Sequence, residues 1–412
     1  MMIEWFDPPH CKACCNKISI GNNTTFFLDD SETRCGETCY KTFQLPFDRT
    51  FVATRMKFEA SELLQKMSQP TTSCCSSSGD EAVHDSVKEY YGKILSTTTD
   101  LKTNACSAIA KPHPLVCKLI TKIPDEVLRT FYGCGSPVPL GIKDLCVLDL
   151  GSGSGRDLFI ASMLSGKNGK CVGIDMTEEQ LEIANRNMSL FKERIGDSME
   201  LAPIEFVHGY IEELEKSGIE KESVDLVISN CVVNLSSNKH AVLQGVYNVL
   251  KYGGEFVFSD MYCDRRLSQD LKKDQVLLGE GLGGALYIND FLDLCRKVGF
   301  MDPRQVTKKE ITIFDQNIKN VVGNARYYSI TYRLFKTNPT LELFNEDYGQ
   351  IATYNGTIEG FAQSYQFDQT YLFETGKPLR VCGNTATILQ TTWLSKYFSV
   401  RGDRNVHYGS FK

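Results

Sequence analysis

Residues 147–157 read VLDLGSGSGRD, and this stretch decides the fold. An apolar run typical of a buried strand leads into a glycine-rich turn, and the residues after the turn predict a helix. Gly151, Gly153 and Gly155 permit positive φ and allow the backbone to approach a ligand closely, where side chains would block it. The first turn of the helix presents free N–H groups at the same place. The stretch therefore predicts a ligand-binding turn between a strand and a helix.

The alternation of strands and helices continues on both sides of this turn. Between residue 81 and residue 337, short β-rich runs alternate with longer amphipathic stretches, which is typical of a parallel α/β sheet. The predicted strands are CVLDL, KCVGID, IEFVHG, VDLVISN and GEFVFSD. Further along, QIATYNG and QTYLFET predict a small, mostly β or mixed, C-terminal domain.

Charge and hydropathy exclude some classes of partner. The net charge of −6 disfavours nucleic acid and anionic membranes, because the average field would repel both. No apolar run reaches the roughly 18 residues of a membrane-spanning helix. The N-terminus, MMIEWFDPPHCKACC, lacks the basic-then-apolar order of a secretory signal. We therefore expect a cytoplasmic protein with no nucleic-acid or membrane partner, and a monomer because no interface stripe is visible.

Sixteen cysteines are unusual for that compartment. In a cytoplasmic chain they favour metal ligands or working thiols over a disulfide framework. Free cysteine also packs like a small hydrophobic residue. Five cysteines with apolar neighbours are predicted to have only this packing role: Cys117, Cys146, Cys171, Cys295 and Cys382.

The spacing of the glycine turn resembles motif I of class I S-adenosylmethionine-dependent methyltransferases. Dinucleotide sites more often read G-x-G-x-x-G, whereas this turn reads G-x-G-x-G after Asp149. One strand later, Asp175 is placed to accept hydrogen bonds from ribose hydroxyls. HGYIEEL, residues 208–214, resembles the loop that packs on adenine. The alternatives are a Rossmann-type dehydrogenase or a glycine turn without a ligand, and the order of these features favours the methyltransferase.

The predicted cofactor is S-adenosylmethionine. The residues predicted to bind it are Asp149, Gly151, Ser152, Gly153, Gly155, Asp175, Met176, Ile211 and Asn230.

Cys231 ends another predicted strand, in ISNCVVN. Many enzymes of this class carry an Asn-Pro-Pro-Tyr-like or acidic motif at that position. A thiolate there could instead hold a soft, thiophilic atom in front of the methyl group. Cys134 lies between two glycines in a predicted turn, and Cys106 lies in a flanking segment where a structural role is equally plausible.

Motifs from residue 85 to the C-terminus together resemble the arsenite S-adenosylmethionine methyltransferases. They include DLKTNAC, FYGCG, LDLGSGSGRD, SNCVVNL, GLGGALY and YRLFK, in that order. The resemblance implies a Rossmann-like cofactor domain, a metalloid-binding insert and a small C-terminal α+β domain. It also implies a substrate of trivalent arsenic carried by thiolates such as glutathione, with glutathione or thioredoxin as the reductant.

By the same resemblance, Cys134 and Cys231 are the arsenic ligands, and Cys106 is an accessory thiol that exchanges disulfides with them. Trivalent arsenic is soft and carries a lone pair, so thiolates can hold it with the lone pair facing the methyl group. The attacking atom has no proton to lose, and no general base is needed. The presence of only six histidines is compatible with such a reaction.

One position departs from the family pattern. Gly281, in LLGEGLGGALY, stands where the family has a third arsenic-binding cysteine. Inorganic arsenite would then need Cys106 or an external glutathione as its third thiol, whereas monomethylarsenite needs only two. We expect methylated or glutathione-bound arsenic to be the better substrate. Cys263 or another thiol could instead substitute for the missing cysteine, or arsenic methylation could have been lost.

The predicted domains are residues 1–58, 59–80, 81–235, 236–337 and 338–412. They correspond to a cysteine-rich module, a linker, the cofactor domain, the remaining core with the arsenic-binding part, and the C-terminal domain. In the module, the spacing of Cys11, Cys14, Cys35 and Cys39 predicts a zinc site, with metalloid capture as the alternative. In the linker, the vicinal Cys74 and Cys75 could bind arsenite or have no role.

Two other functions are compatible with parts of this pattern. The first is a class I methyltransferase acting on a small organic acceptor, which would make Cys231 incidental. The second is a thiol-rich metalloid-binding protein with little turnover. The three cysteines in matching motifs argue against the first, and the intact glycine turn with Asp175 argues against the second.

Overall fold

The computed structural model describes residues 2–6, 15–20, 24–27, 41–44, 112–131, 133–274, 277–278 and 281–412. The chain divides into two compact units, residues 1–75 and residues 76–412. Within the described ranges, no helix has both the length and the apolar character that crossing a bilayer requires.

The first unit contains a four-stranded antiparallel sheet. Its strands are β1 (Met2–Phe6), β2 (Cys15–Ile20), β3 (Thr24–Phe27) and β4 (Lys41–Gln44), in the order β3-β2-β1-β4. The predicted zinc ligands Cys11, Cys14, Cys35 and Cys39 lie outside the described residues, as do Cys74, Cys75 and Cys106. Among the residues that are described, no group of three or more His, Cys, Asp or Glu could hold a metal ion.

The second unit is built on a parallel sheet, as predicted. Five neighbouring parallel strands follow the order β7-β6-β5-β8-β9. They are β5 (Cys146–Leu150), β6 (Lys170–Asp175), β7 (Ile204–His208), β8 (Val224–Asn230) and β9 (Leu250–Cys263). The five predicted strands are confirmed, although β9 extends beyond GEFVFSD at both ends.

Three more strands extend this sheet. β10 (Leu286–Tyr287) pairs in parallel with the end of β9. β11 (Arg304–Glu310) and β12 (Tyr327–Lys336) continue the order as β9-β12-β11, and both of these pairings are antiparallel. Because β12 reverses direction and β11 reverses it again, β11 runs parallel to the first five strands.

Helices cover both faces of the sheet. They are α1 (Pro114–Ile120), α2 (Asp125–Arg129), α3 (Arg156–Ser165), α4 (Glu178–Ile195), α5 (Lys239–Val249), α6 (Gln269–Lys273), α7 (Ile288–Val298) and α8 (Gln316–Val322). Along β5, Val147 packs in the core that contains α3 and α4, whereas Leu148 packs with α5 and α7. Burial on both faces explains why the strands read as continuous apolar runs.

The C-terminal region is a small α+β structure, as predicted. It contains β13 (Ile351–Tyr354), β14 (Ser364–Gln366), β15 (Leu372–Glu374), β16 (Pro378–Arg380), α9 (Gly383–Thr391) and β17 (Phe398–Arg401). Its strands form a three-stranded sheet, β16-β13-β17, and a β14-β15 hairpin. QIATYNG and QTYLFET contribute β13 and β15.

The packing predicted for the five cysteines is confirmed for three. Cys171, Cys295 and Cys382 are fully buried, whereas Cys146 is half-buried. The prediction is wrong for Cys117, which is exposed. The side chains of α1 that enter the core are Val116 and Leu119, and the intervening Cys117 points away from that face because successive helical residues are rotated by about 100°.

A buried ion pair connects the main sheet to the C-terminal region. The Arg333 guanidinium on β12 contacts both carboxylate oxygens of Glu255 on β9, with Nη2 at 3.0 Å from Oε2. It also donates to the Tyr365 hydroxyl at 2.9 Å and to the Phe367 carbonyl at 3.1 Å. The Trp393 indole N–H donates to Glu255 at 2.8 Å. Both charges are therefore compensated by several hydrogen bonds, as their burial requires.

We predict that Arg333→Met destabilises the protein by about 3–5 kcal/mol, because it leaves Glu255 buried without its cation. The free energy of unfolding, measured in urea, checks this. Lys167→Met is a matched control, because Lys167 and its partner Glu200 are both largely exposed, and it should leave stability nearly unchanged. Equal effects of the two substitutions would contradict the prediction.

Candidate functional site

The ends of three parallel strands form one side of a cavity. β5 ends at Leu150, β6 at Asp175 and β8 at Asn230, and β5 lies between the other two. In open α/β sheets, ligands bind beyond the carboxyl ends of strands where connections leave in opposite directions. A cavity that is partly open to solvent lies at this point, with a volume of about 960 Å³ that includes the solvent space at its mouth.

Most of the residues predicted to bind the cofactor line this cavity. They are Asp149, Gly151, Ser152, Gly153, Asp175, Met176, Ile211 and Asn230. Gly155 does not line it. Gly155 instead precedes α3 with φ of 90°, and a Cβ there would lie 2.7 Å from the Phe206 ring, so its role is to let the helix pack on β7.

The first two glycines of the turn have different roles. Both have positive φ, at 64° for Gly151 and 51° for Gly153. A Cβ on Gly151 would lie 2.5 Å from the Val232 side chain, so glycine is needed there for packing. A Cβ on Gly153 would find its nearest neighbour, Gln180, at 3.8 Å. Gly153 is therefore the position where bare backbone faces the open cavity.

Asp175 holds the turn in this conformation. Its Oδ2 accepts the Gly153 N–H at 2.8 Å, and its Oδ1 accepts the Thr177 N–H at 2.8 Å. Burial raises the pKa of Asp175, and the two backbone N–H groups oppose that shift. Each carboxylate oxygen keeps a further lone pair for a ligand hydroxyl.

The cavity has a strongly acidic wall. Asp149, Asp157, Asp175 and Glu212 line it, and none of its described lining residues is Lys, Arg or His. Burial raises the pKa of Asp149 well above its usual range, and the nearby carboxylates of Asp157 and Asp175 add to the shift. Such a wall would repel a diphosphate and attract a cation. It therefore disfavours a dinucleotide and fits a nucleoside that carries a positively charged sulfonium and an ammonium group.

The predicted arsenic ligands Cys134 and Cys231 lie side by side, although 97 residues separate them in the chain. They form a disulfide in this structure, with their Cα atoms 5.8 Å apart. Cys231 follows β8 with φ of 61° and donates its N–H to the Ser259 carbonyl at 2.8 Å. The Cys134 carbonyl accepts the Ser329 hydroxyl at 3.0 Å. Adjacent strands β9 and β12 thus anchor both cysteines.

Glycines on both sides of Cys134 allow its loop to pack closely enough against the sheet for Cys134 to reach Cys231. A Cβ on Gly133 would lie 2.7 Å from the Asn230 side-chain amide, and a Cβ on Gly135 would overlap Ser259. The Gly-Cys-Gly sequence is therefore required by close packing of the loop against the sheet.

Asn230 connects the two cysteine segments directly. Its Oδ1 accepts the Gly135 N–H at 3.1 Å, and its Nδ2 donates to the Gly135 carbonyl at 3.0 Å and to Asp157 at 2.9 Å. The residue before Cys231 thus pairs with the residue after Cys134. Asn230 was predicted as a cofactor ligand, and it does border the cavity, but its amide is used to hold the Cys134 loop.

Among the described residues, Cys231 is the one cysteine that lines this cavity, and Cys134 reaches the site through its bond to Cys231. Cys263 is fully buried in an apolar cluster with Leu282 and Ile313, about 13 Å along β9 from Ser259. Gly281 has φ of 76°, and a Cβ there would overlap the Met261 methyl group. The alternative in which Cys263 supplies the missing thiol is therefore not supported.

Sequence reasoning missed several residues of the cavity wall. Asp157, at the start of α3, and Glu212, in the loop after β7, both line the cavity. The Arg156 guanidinium lies over the Phe131 ring at 3.9 Å, and Phe131 also lines the cavity. Asp157 could have been found from its position immediately after the glycine turn, whereas Phe131 carries no local signal.

Two family models match this chain. Residues 143–318 match the methyltransferase domain, and residues 348–409 match the arsenite methyltransferase C-terminal domain. An arsenite methyltransferase from Aquipseudomonas alcaligenes is 45% identical over 330 residues, covering 80% of this chain and 94% of that protein. The arsenite methyltransferase of Homo sapiens is 40% identical over 326 residues, covering 78% of this chain and 84% of that protein.

A solved structure is also similar. It is the X-ray crystal structure of CrArsM, an arsenic(III) S-adenosylmethionine methyltransferase from Chlamydomonas reinhardtii, which shares 49% sequence identity with this chain. The match has a TM-score of 0.69 and covers 73% of this chain and 100% of that chain.

We predict that Asn230→Ala makes the Cys134–Cys231 disulfide easier to reduce, because the loop then no longer holds the two sulfurs together in the reduced state. The reduction potential should rise by roughly 30 mV or more, equivalent to about 1.4 kcal/mol. Equilibration with glutathione redox buffers, read by mass spectrometry, measures it. Asn187→Ala is the matched control, since Asn187 is a buried asparagine that bonds to Glu126 and Ile183 instead. An unchanged potential in Asn230→Ala would overturn the prediction.

We also predict that S-adenosylmethionine binds more weakly as the pH falls. Because the pKa of Asp149 is raised, this carboxylate takes up a proton and loses its charge at a higher pH than usual. A bound cation favours the ionised form. Binding should therefore release a proton, and affinity should rise with pH, by at most about tenfold per pH unit, until the pH exceeds that pKa. Calorimetry between about pH 5 and pH 8 in buffers of different ionisation enthalpy detects the proton. Asp149→Asn should lower the number of protons released, leaving at most the contribution of Asp175, whose pKa burial also raises, and an unchanged number would count against the assignment.

Proposed function

Since this chain belongs to the arsenite methyltransferase family, we propose that it transfers methyl groups from S-adenosylmethionine to trivalent arsenic held by Cys134 and Cys231. The observation that carries the proposal is the position of this cysteine pair. Cys231 lines the acidic cavity at the carboxyl ends of the strands, and Cys134 lies against it from a separate loop. A dithiol at this point is suited to a soft, thiophilic acceptor atom.

The acidic cavity is the place for the cofactor. S-adenosylmethionine, when bound, supplies an electrophilic methyl group on a positively charged sulfur. In this proposal, Asp149 and Asp175 bind its cationic and hydroxyl groups, and Met176 and Ile211 provide the apolar part of the wall. The bare backbone at Gly153 leaves room for close approach. Asp157 is already paired with Arg156 at 3.2 Å, so Asp149, Asp175 and Glu212 are the carboxylates that compensate positive charge in this partly enclosed cavity.

The cysteine pair must be reduced before it can bind arsenic. Two external thiols, or one dithiol, convert the Cys134–Cys231 disulfide to two cysteine thiols and are themselves oxidised to a disulfide. We propose glutathione or thioredoxin for this reduction. Asn230 and Ser329 then keep the Cys134 loop in place, so the two sulfurs stay close enough to bind one atom.

The two thiolates leave the arsenic lone pair free to act as the nucleophile. The lone pair carries no proton, so the protein needs no general base. The composition of the cavity agrees with this, because no histidine or lysine lies among its described lining residues. The role of the protein is to hold the nucleophile at near-attack distance from the methyl group and to keep it oriented.

The third arsenic ligand distinguishes the substrates. Gly281 supplies no thiol, and its left-handed backbone and contact with Met261 disfavour a side chain there. Monomethylarsenite already has one arsenic–carbon bond and needs two thiolates. Arsenite needs three, and the third then comes from Cys106 or from an external thiol. We therefore propose that methylated or thiol-bound arsenic is the better substrate.

We predict that Cys134→Ser and Cys231→Ser each reduce methylation by more than about 100-fold, because one thiolate cannot chelate arsenic. Binding of S-adenosylmethionine should persist in both variants. Methylation is measured with arsenite and with monomethylarsenite as substrates. The methylated products are separated by chromatography and quantified by arsenic mass spectrometry. Cys117→Ser replaces an exposed cysteine outside the site and is the control. Full activity of Cys231→Ser would disprove the proposed site.

Gly281→Cys in the same assay tests the third ligand. It should raise turnover of arsenite relative to monomethylarsenite, even though left-handed backbone at a non-glycine residue costs about 1–2 kcal/mol. A ratio equal to that of the unmodified protein, in a variant that remains folded, would mean that the position does not contribute a ligand.

A further inference from the structure

A second cavity borders the cysteine pair. It is an open cleft of about 1370 Å³, a volume that includes solvent space at its mouth, and Cys134 lines it, whereas Cys231 lines the acidic cavity. The bonded pair therefore lies between the two cavities. The floor of the second cavity is the sheet, where Ser329 and Thr331 of β12 lie beside Thr307 of β11.

The two cavities have opposite charge. The second is lined by Lys309, Arg333 and His113, which bonds to the Gly360 carbonyl, and its described lining residues include no Asp or Glu. Arg333 is already paired with Glu255, so Lys309 is the cation without a carboxylate partner in the cavity wall. Lys309 is exposed on β11, with its backbone directly opposite Ser329. Because neighbouring strands lie about 5 Å apart and Ser329 bonds to the Cys134 carbonyl, the lysine lies one strand away from the cysteine loop.

The rest of the wall combines apolar and hydroxyl groups. Val257, Val306 and Phe361 provide apolar surface. Thr331 bonds to the Thr307 hydroxyl at 2.9 Å and to the Ser259 hydroxyl at 2.8 Å. Such a wall suits a flexible ligand with methylene and amide groups and at least one carboxylate.

We propose that the second cavity binds the organic thiol that accompanies trivalent arsenic, a peptide-sized thiol carrying carboxylates, and that Lys309 attracts one of these carboxylates. The inference rests on the proposed function. Arsenic held by Cys134 and Cys231 is pyramidal, so a lone pair facing the acidic cavity leaves its third substituent directed away from that cavity. When arsenic arrives bound to external thiols and keeps one of them, that substituent is the retained thiol, and the second cavity lies on the side to which it points.

The ligand exchange balances without any oxidant. Arsenic carrying three external thiolates loses two of them to Cys134 and Cys231. Two arsenic–sulfur bonds to the carrier break, two to the protein form, and each departing thiolate takes up the proton of the cysteine that replaces it. Arsenic stays trivalent throughout, and the third external thiolate remains bound in the second cavity.

Lys309→Glu tests the proposal, with Lys308→Glu as the matched control. Lys308 is the neighbouring exposed lysine, but it lies over the Tyr328 ring and does not line the cavity, because successive residues of a strand face opposite sides. Methylation of arsenite is measured as a function of glutathione or of 2-mercaptoethanol, which has no carboxylate. Lys309→Glu should raise the half-saturating glutathione concentration about fivefold or more relative to that of 2-mercaptoethanol. Lys308→Glu should keep the original ratio.

Binding without turnover provides a second measurement. S-methylglutathione keeps the carboxylates but cannot bind arsenic, and saturation-transfer NMR should detect its contact with the protein and the loss of that contact in Lys309→Glu. An unchanged glutathione ratio together with unchanged S-methylglutathione binding would overturn the inference while leaving arsenic methylation intact. Absence of methylated product with every thiol would instead reject the proposed function.

Discussion

The approach of Cys134 to Cys231 is the constraint on which the rest of the site depends. Two segments 97 residues apart must place their sulfurs within bonding distance. The sheet makes this possible, because Ser259 on β9 anchors one cysteine and Ser329 on the adjacent β12 anchors the other. Glycines beside Cys134 remove the side chains that would prevent contact, and the Asn230 amide joins the two segments.

Electrostatics divides the surroundings of the pair into two regions. Four carboxylates face the cavity on the side of Cys231, and Lys309 faces the cavity on the side of Cys134. A cationic methyl donor and an anionic thiol carrier would each be attracted to one side and repelled from the other. In the proposed function, this separation allows both to reach a single arsenic atom without competing for one space.

β12 connects the site to the C-terminal region. At one point along the strand Ser329 bonds to Cys134, and four residues later Arg333 bonds to Glu255, Tyr365 and Phe367. A buried arginine with several partners resists displacement, because any shift of the strand that separates it from its carboxylate leaves a charge unpaired in the interior. The C-terminal α+β structure thus helps to keep in register the strand that anchors the cysteine loop, and it contributes Phe361 and Tyr365 to the wall of the second cavity.

The sequence by itself determined the parallel strands, the glycine turn, Asp175 and the cysteine at the end of β8, because each depends on neighbours within a few residues of the chain. Gly155 does not line the cavity, and Cys117 is exposed, because their surroundings come from β7 and from the orientation of a helix face. Only the tertiary structure decided that Asn230 pairs with Gly135, that Cys263 lies away from the site, and that a basic cavity borders Cys134. These features depend on distances between segments far apart in sequence, and such distances are determined by how the sheet packs.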